Sequence, residues 1–196
     1  MTSRTLSASA LRVALAAALV AAPFAGASAD TYRIDPSHTY PSFAANHMGI
    51  SWFRGKFNKT AGTIELDRQA KTGRIEVVID AASIDMGHAQ LNKHLLSADL
   101  FDVEKHPEIR FTGSDFRFEG DVPVAVGGEL RMLGVSKPVE LKLESFACRD
   151  HPMLKVEVCG AEATAVIDRS DWGLSYGAPP STPEVRLAIQ VEALKQ

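Results

Sequence analysis

Cys148 and Cys159 are the only cysteines of the chain, and His151 lies between them. Two thiols with a nearby imidazole offer three chemistries: a disulfide, a pair of free thiols, or a metal site that recruits His151 through Cys148-x-x-His151. The intervening Asp150-His151-Pro152 is a natural turn, so an antiparallel hairpin would set the two thiols opposite each other. In an oxidising compartment that arrangement favours the disulfide, worth about 3 kcal/mol in the chain-entropy picture.

The remaining reactive side chains are scattered. His38, His47, His88, His94, His106 and His151 show no close pairing at metal-ligand spacing. Asp35, Ser37 and His38 bring triad residue types together, but a triad is defined by geometry. There is no His-Glu-x-x-His, Gly-x-Ser-x-Gly, Gly-x-x-x-x-Gly-Lys or Gly-x-Gly-x-x-Gly, so no catalytic residue, metal or cofactor is assigned. The chemistry left open is acid–base work by His94 with a neighbouring carboxylate, or a metal- or redox-responsive role for Cys148, His151 and Cys159.

The elements that must position these residues are strands. Val185, Leu187, Ile189, Val191 and Ala193 alternate with polar neighbours, as do Val139, Leu141 and Leu143, and Ile109 with Phe111. Such period-two patterns describe half-buried strands. Further strands are expected at Thr31–Ile34, Ser42–His47, Gly62–Asp67, Arg74–Asp80, Phe116–Phe118, Glu129–Leu133, Lys155–Cys159 and Ala161–Asp168, separated by Gly- and Pro-rich turns. One helical segment is expected over His88–Ser97, where Leu91, His94 and Leu95 share a face. Many short antiparallel strands make a sandwich or a barrel, and closure removes exposed edges.

By parity, Phe43, Ile64, Val77, Ile79, Phe111, Phe116, Phe118, Leu130, Leu141 and Leu143 face inward. Parity does not tell a filled core from a ligand cavity. With 196 residues, 45% hydrophobic and 23% charged, and a net charge of -3, the chain is an ordinary globular protein. It has no basic run of the kind nucleic-acid binders carry. Arg4 and Arg12, the apolar run Val13–Ala22 and Ala27-Ser28-Ala29 describe a cleavable signal peptide over residues 1–29, of a kind that fits a bacterial periplasm. Residues 30–196 are then one domain, without a segment long enough to span a bilayer as a helix.

The order of several short motifs resembles the YceI-like family of lipocalin-like periplasmic proteins. They are Tyr32-x-Ile34-Asp35-x-x-His38, His47-Met48-Gly49, Gly55-x-Phe57, Ala82-Ser83-Ile84-Asp85, His94-Leu95, Asp99-Leu100-Phe101-Asp102, His106-Pro107, Gly134-Val135-x-Lys137-Pro138-Val139 and Asp168-Arg169-Ser170-Asp171-Trp172-Gly173. The resemblance implies an extended antiparallel eight-stranded barrel with a helical segment over one opening. It also implies a pore, lined by the inward set, that stores or carries a long-chain isoprenoid, polyprenyl or quinone-type lipid without reacting with it. The partners expected are that lipid and a second copy of the chain. His94, on the lid, and Arg169 are headgroup candidates. So is Asn92, which stands where the family commonly has Asp. The Cys148 and Cys159 pair is no general family feature.

Overall fold

The computed structural model describes residues 29–196, and the expected signal peptide lies outside them except for its last residue. The strands are β1 (Asp30–Ile34), β2 (Tyr40–His47), β3 (Ser51–Phe57), β4 (Thr60–Asp67), β5 (Thr72–Asp80), β6 (Ile84–Asp85), β7 (Glu108–Glu119), β8 (Val122–Met132), β9 (Val135–Asp150), β10 (Glu157–Asp168) and β11 (Glu184–Lys195). One helix, α1 (Ala89–Leu95), follows β6. All pairings are antiparallel, and β1 pairs with both β4 and β11, which closes the sheet into a ring. β1 with β2, β3 with β4, and β5 with β6 act as three long interrupted strands, so the barrel has eight staves.

Each interruption has a local cause. Between β1 and β2, Pro36 has no N–H to donate, and Asp35 turns the chain by accepting from the Ser37 N–H at 2.9 Å. The facing Glu192 backbone is satisfied by the buried Thr39 side chain, which accepts from Glu192 N at 3.1 Å and donates to its carbonyl at 3.2 Å. Between β5 and β6, Asp80 caps a 3-10 turn, Ala81–Ser83, whose Ser83 accepts the backbone N–H groups of Asn58 and Lys59 at the β3–β4 break.

Three register shifts interrupt the ladder, and two of them decide the facing of the residues inferred from parity. A shift between Gly113 and Asp115 in β7 lets Ile109 and Phe111 share the inner face with Phe116 and Phe118, although their sequence parities differ. A second, between Leu143 and Ser145 of β9 opposite β10, hands the inner face from Leu143 to Phe146 and Cys148. β7 is therefore a single bulged strand where the sequence suggests two pieces, and β10 a single strand in unbroken register with β11 where it again suggests two. Ser51–Phe57 is a strand that the alternation conceals, because Trp52 on its outer face is as apolar as Phe53 and Phe57 within.

Candidate functional site

The barrel interior divides into two apolar clusters. At the end holding the β9–β10 turn, Tyr32, Leu66, Cys159 and Ala193 are buried, with Ile64, Phe116, Phe118, Phe146 and Cys148 packed against them. Tyr32 donates from its hydroxyl to Glu157 Oε1 at 2.6 Å; burial first, and then that carboxylate, push the phenol's pKa well up. Arg68 lies 3.6 Å from Glu157 and completes the closure of this end.

Toward the other end the interior is open. A cavity of about 510 Å³ runs between the sheet walls, within the roughly 300–1,000 Å³ range of small-molecule sites. Seven of the ten inward residues inferred from parity line it: Phe43, Val77, Ile79, Phe111, Leu130, Leu141 and Leu143. Ile64, Phe116 and Phe118 do not. They belong to the packed end, because parity fixes the face of a strand but not the height along the barrel. Gly55 keeps the wall thin at the mouth, since a Cβ there would meet the Phe43 ring at 2.8 Å and the Met86 sulfur. A second, shallow depression of about 650 Å³ on the outer wall, near Arg74, Asp115 and Glu140, is polar at its edges and open to solvent.

The mouth is framed by α1, the β2–β3 turn and the loop that follows β10. His88 caps α1 by accepting the Leu91 N–H at 3.4 Å. Leu91, His94 and Leu95 fall on one helical face and line the cavity, as do Leu100 and Phe101. His94 packs edge-on against Tyr176 with ring centroids 4.8 Å apart, and its Nε2 is 3.6 Å from Asp99 Oδ2. Asn92 lies on the flank of that face and points toward β6. It accepts from Met86 N at 2.8 Å and donates to Asp85 Oδ1 at 3.0 Å, tying α1 to β6, so it is a brace and not a cavity contact.

Arg169 lines the cavity but uses its guanidinium on the chain itself, donating to the Leu174 and Tyr176 carbonyls at 2.8 Å each. Burial lowers its pKa, an opposing effect of Asp168 notwithstanding. Asp168 accepts from the Ser170 N–H and hydroxyl, and the buried Trp172 donates from its indole N–H to Leu130 O at 3.0 Å. The Asp168–Gly173 motif thus pins the post-β10 loop over the barrel end.

The wall holds one polar atom without a partner. Thr60 Oγ1 is buried and, among the described residues, is the only buried side-chain nitrogen or oxygen lacking a hydrogen bond; Thr60 also lines the cavity. Among the lining residues that sequence reading did not single out are Thr60, Phe53, Val126, Met132 and, from the stretch after β10, Tyr176, Gly177, Pro180 and Ser181. The Gly- and Pro-rich composition of the stretch marked a turn and concealed its place at the mouth.

The triad-like residues lie outside this space. Ser37 Oγ and His38 Nδ1 both engage Asp35, at 2.6 and 2.7 Å. Burial alone would raise the Asp35 pKa, but these bonds outweigh it and bring it to about 2, while Asp35 raises that of His38. Ser37 Oγ is also 3.2 Å from His38 Nδ1, but the hydroxyl is donated to the acid and the same imidazole nitrogen is bonded to Asp35, so the group is a turn. Cys148 and Cys159 are paired across β9 and β10 and joined as a disulfide. His151 stands apart from them, its Nδ1 accepting from Met153 N and Leu154 N in the turn, so the thiol–imidazole metal set is not assembled.

The YceI-like domain matches residues 32–193. A UPF0312 protein of Pectobacterium atrosepticum is 32% identical over 187 residues, covering 94% of this chain and 96% of that protein. Two solved structures share the fold. BcnA of Burkholderia cenocepacia has a TM-score of 0.66 at 19% identity, over 81% of this chain and 98% of its own. A polyisoprenoid binding domain from Saccharophagus degradans, implicated in plant cell wall breakdown, has a TM-score of 0.59 at 14% identity, over 84% and 98%.

Proposed function

The chain belongs to the YceI-like family, and on that premise we propose that its barrel binds and carries a long-chain isoprenoid lipid, of polyprenyl or quinone type, in the periplasm and without reacting with it. The observation that carries this reading is the blind apolar cavity, packed shut at one end and open beside α1. Transferring about ten methylene or equivalent groups into such walls yields on the order of 8 kcal/mol of gross stabilisation. That matches a dissociation constant of about a micromolar before immobilisation costs are subtracted. Tail burial therefore suffices for binding, which accords with polar groups at the mouth that are mostly engaged with the protein. The fold neighbour named for polyisoprenoid binding supports the choice of lipid class, and the signal-like leader and the disulfide support the compartment.

The reading is tested by placing a charge in the cavity wall. Leu141→Glu should abolish co-purification of lipid, because an unpaired carboxylate in a water-poor channel costs several kcal/mol. Leu143→Glu, at a half-buried lining position, serves where Leu141→Glu does not fold by circular dichroism. The exposed Lys142→Ala should keep its lipid. Folded glutamate variants that retain lipid would place the cargo outside the cavity.

A further inference from the structure

The β2–β3 turn carries side chains that folding does not account for. Ile50 is 80% exposed and Met48 49% exposed, at the tip of a tight turn closed by Ile50 N to His47 O at 3.0 Å. Met48 holds the left-handed backbone (φ 56) that Asn or Gly takes at least cost, so its place is not explained by turn chemistry. Met48, Phe53 and Tyr176 are exposed to solvent and also line the cavity, so apolar side chains reach from the outer rim to the lumen.

Charge accompanies this rim. From Pro36 to Ile64 the chain has no acidic residue, whereas Arg54, Lys56 and Lys59 are basic, in a protein of net charge -3. Lys59 is paired with Asp80 at 3.4 Å and Arg186 with Glu184 at 2.8 Å, whereas Arg54 forms no ion pair among the described residues. The Arg186 guanidinium lies 4.0 Å from the Trp52 ring centre, and Lys56 is 4.4 Å from that of Tyr40, so aromatic rings and cations alternate behind the apolar tip. An apolar tip backed by interfacial aromatics and then cations is complementary to a bilayer of anionic phospholipids: hydrocarbon outermost, headgroup level next.

We propose that the mouth end docks, β2–β3 turn first, on an anionic phospholipid bilayer, so that cargo passes between membrane and cavity along the Met48–Phe53–Tyr176 path. This inference rests on the lipid-holding reading of the cavity. The β9–β10 turn supplies an internal control, because Met153 is also exposed, at 81%, but at the closed end of the barrel, away from any mouth-down contact.

The test is flotation of the purified protein with vesicles of phosphatidylglycerol and phosphatidylethanolamine, against neutral phosphatidylcholine vesicles, with lipid extracted from each protein in parallel. Wild type should float with the anionic vesicles only. Ile50→Asp should bind about tenfold or more weakly, and Arg54→Ala about fivefold, whereas Met153→Asp should match wild type. Ile50 and Arg54 are exposed, so all variants should melt with wild type and keep their extracted lipid. Failure of wild type to float while lipid is still extracted overturns docking and leaves the carrier reading standing. Wild type that floats but yields no lipid supports the docking face and removes the cargo. Equal flotation of Ile50→Asp and wild type overturns the proposal. So does a wild-type dimer, by light scattering, that Ile50→Asp converts to monomer, since the face would then belong to a second copy.

Discussion

The Thr60 hydroxyl is the one buried side-chain polar atom without a partner among the described residues, and it lies in the cavity wall. A buried polar group without a partner costs about 1–3 kcal/mol, and an apolar group of the same shape removes that cost. Thr60→Val should therefore raise the melting temperature of lipid-stripped protein and weaken binding of an oxygen-bearing prenyl chain relative to a pure hydrocarbon. A variant that melts lower when stripped and binds both ligands equally would show that the hydroxyl has no such role. At this scale the sequence was a mixed guide. His94 was legible, since a three- and four-residue spacing puts it on the face of Leu91 and Leu95. Asn92 was not, because motif position said nothing about its bond to Asp85. Arg169 reaches the cavity yet forks onto two carbonyls of its own loop, a partnership that depends on where Leu174 and Tyr176 return in space.

At the scale of elements, alternation revealed most strands, and the bulges marked the limit of what it could reveal. Counting by twos from Val139, Leu141 and Leu143 puts Cys148 outside. The extra residue in β9 instead turns it inward against Cys159. Strand height was equally invisible, which is why Ile64, Phe116 and Phe118 share a face with the cavity residues and yet fill the packed end. The disulfide bridges two strands inside this plug, where β9 and β10 run on together toward their turn. Replacing both cysteines by alanine should lower stability by about 3 kcal/mol in denaturant unfolding. Alkylation of unreduced, denatured wild type should label neither thiol. Two labels per chain, or a double variant as stable as wild type, would remove the disulfide from the account of the closed end.

For the whole molecule, the sheet closes on itself through β1, one end is filled by aromatic side chains and a disulfide, and the other opens past a short helix. That a sandwich or a barrel forms followed from the number and spacing of strands, and closure into a barrel from the resemblance to the family. That the interior is hollow did not, because a filled and an empty barrel share the same inward pattern and differ only in how far opposing side chains reach. The central claim, that the hollow holds an apolar lipid, is tested most directly by native mass spectrometry of the wild-type protein purified without detergent, followed by organic extraction. The account predicts a bound mass that extraction recovers as an isoprenoid chain, and a melting temperature that rises when such chains are returned to stripped protein. No bound mass, together with a melting temperature indifferent to added prenyl chains, would contradict it.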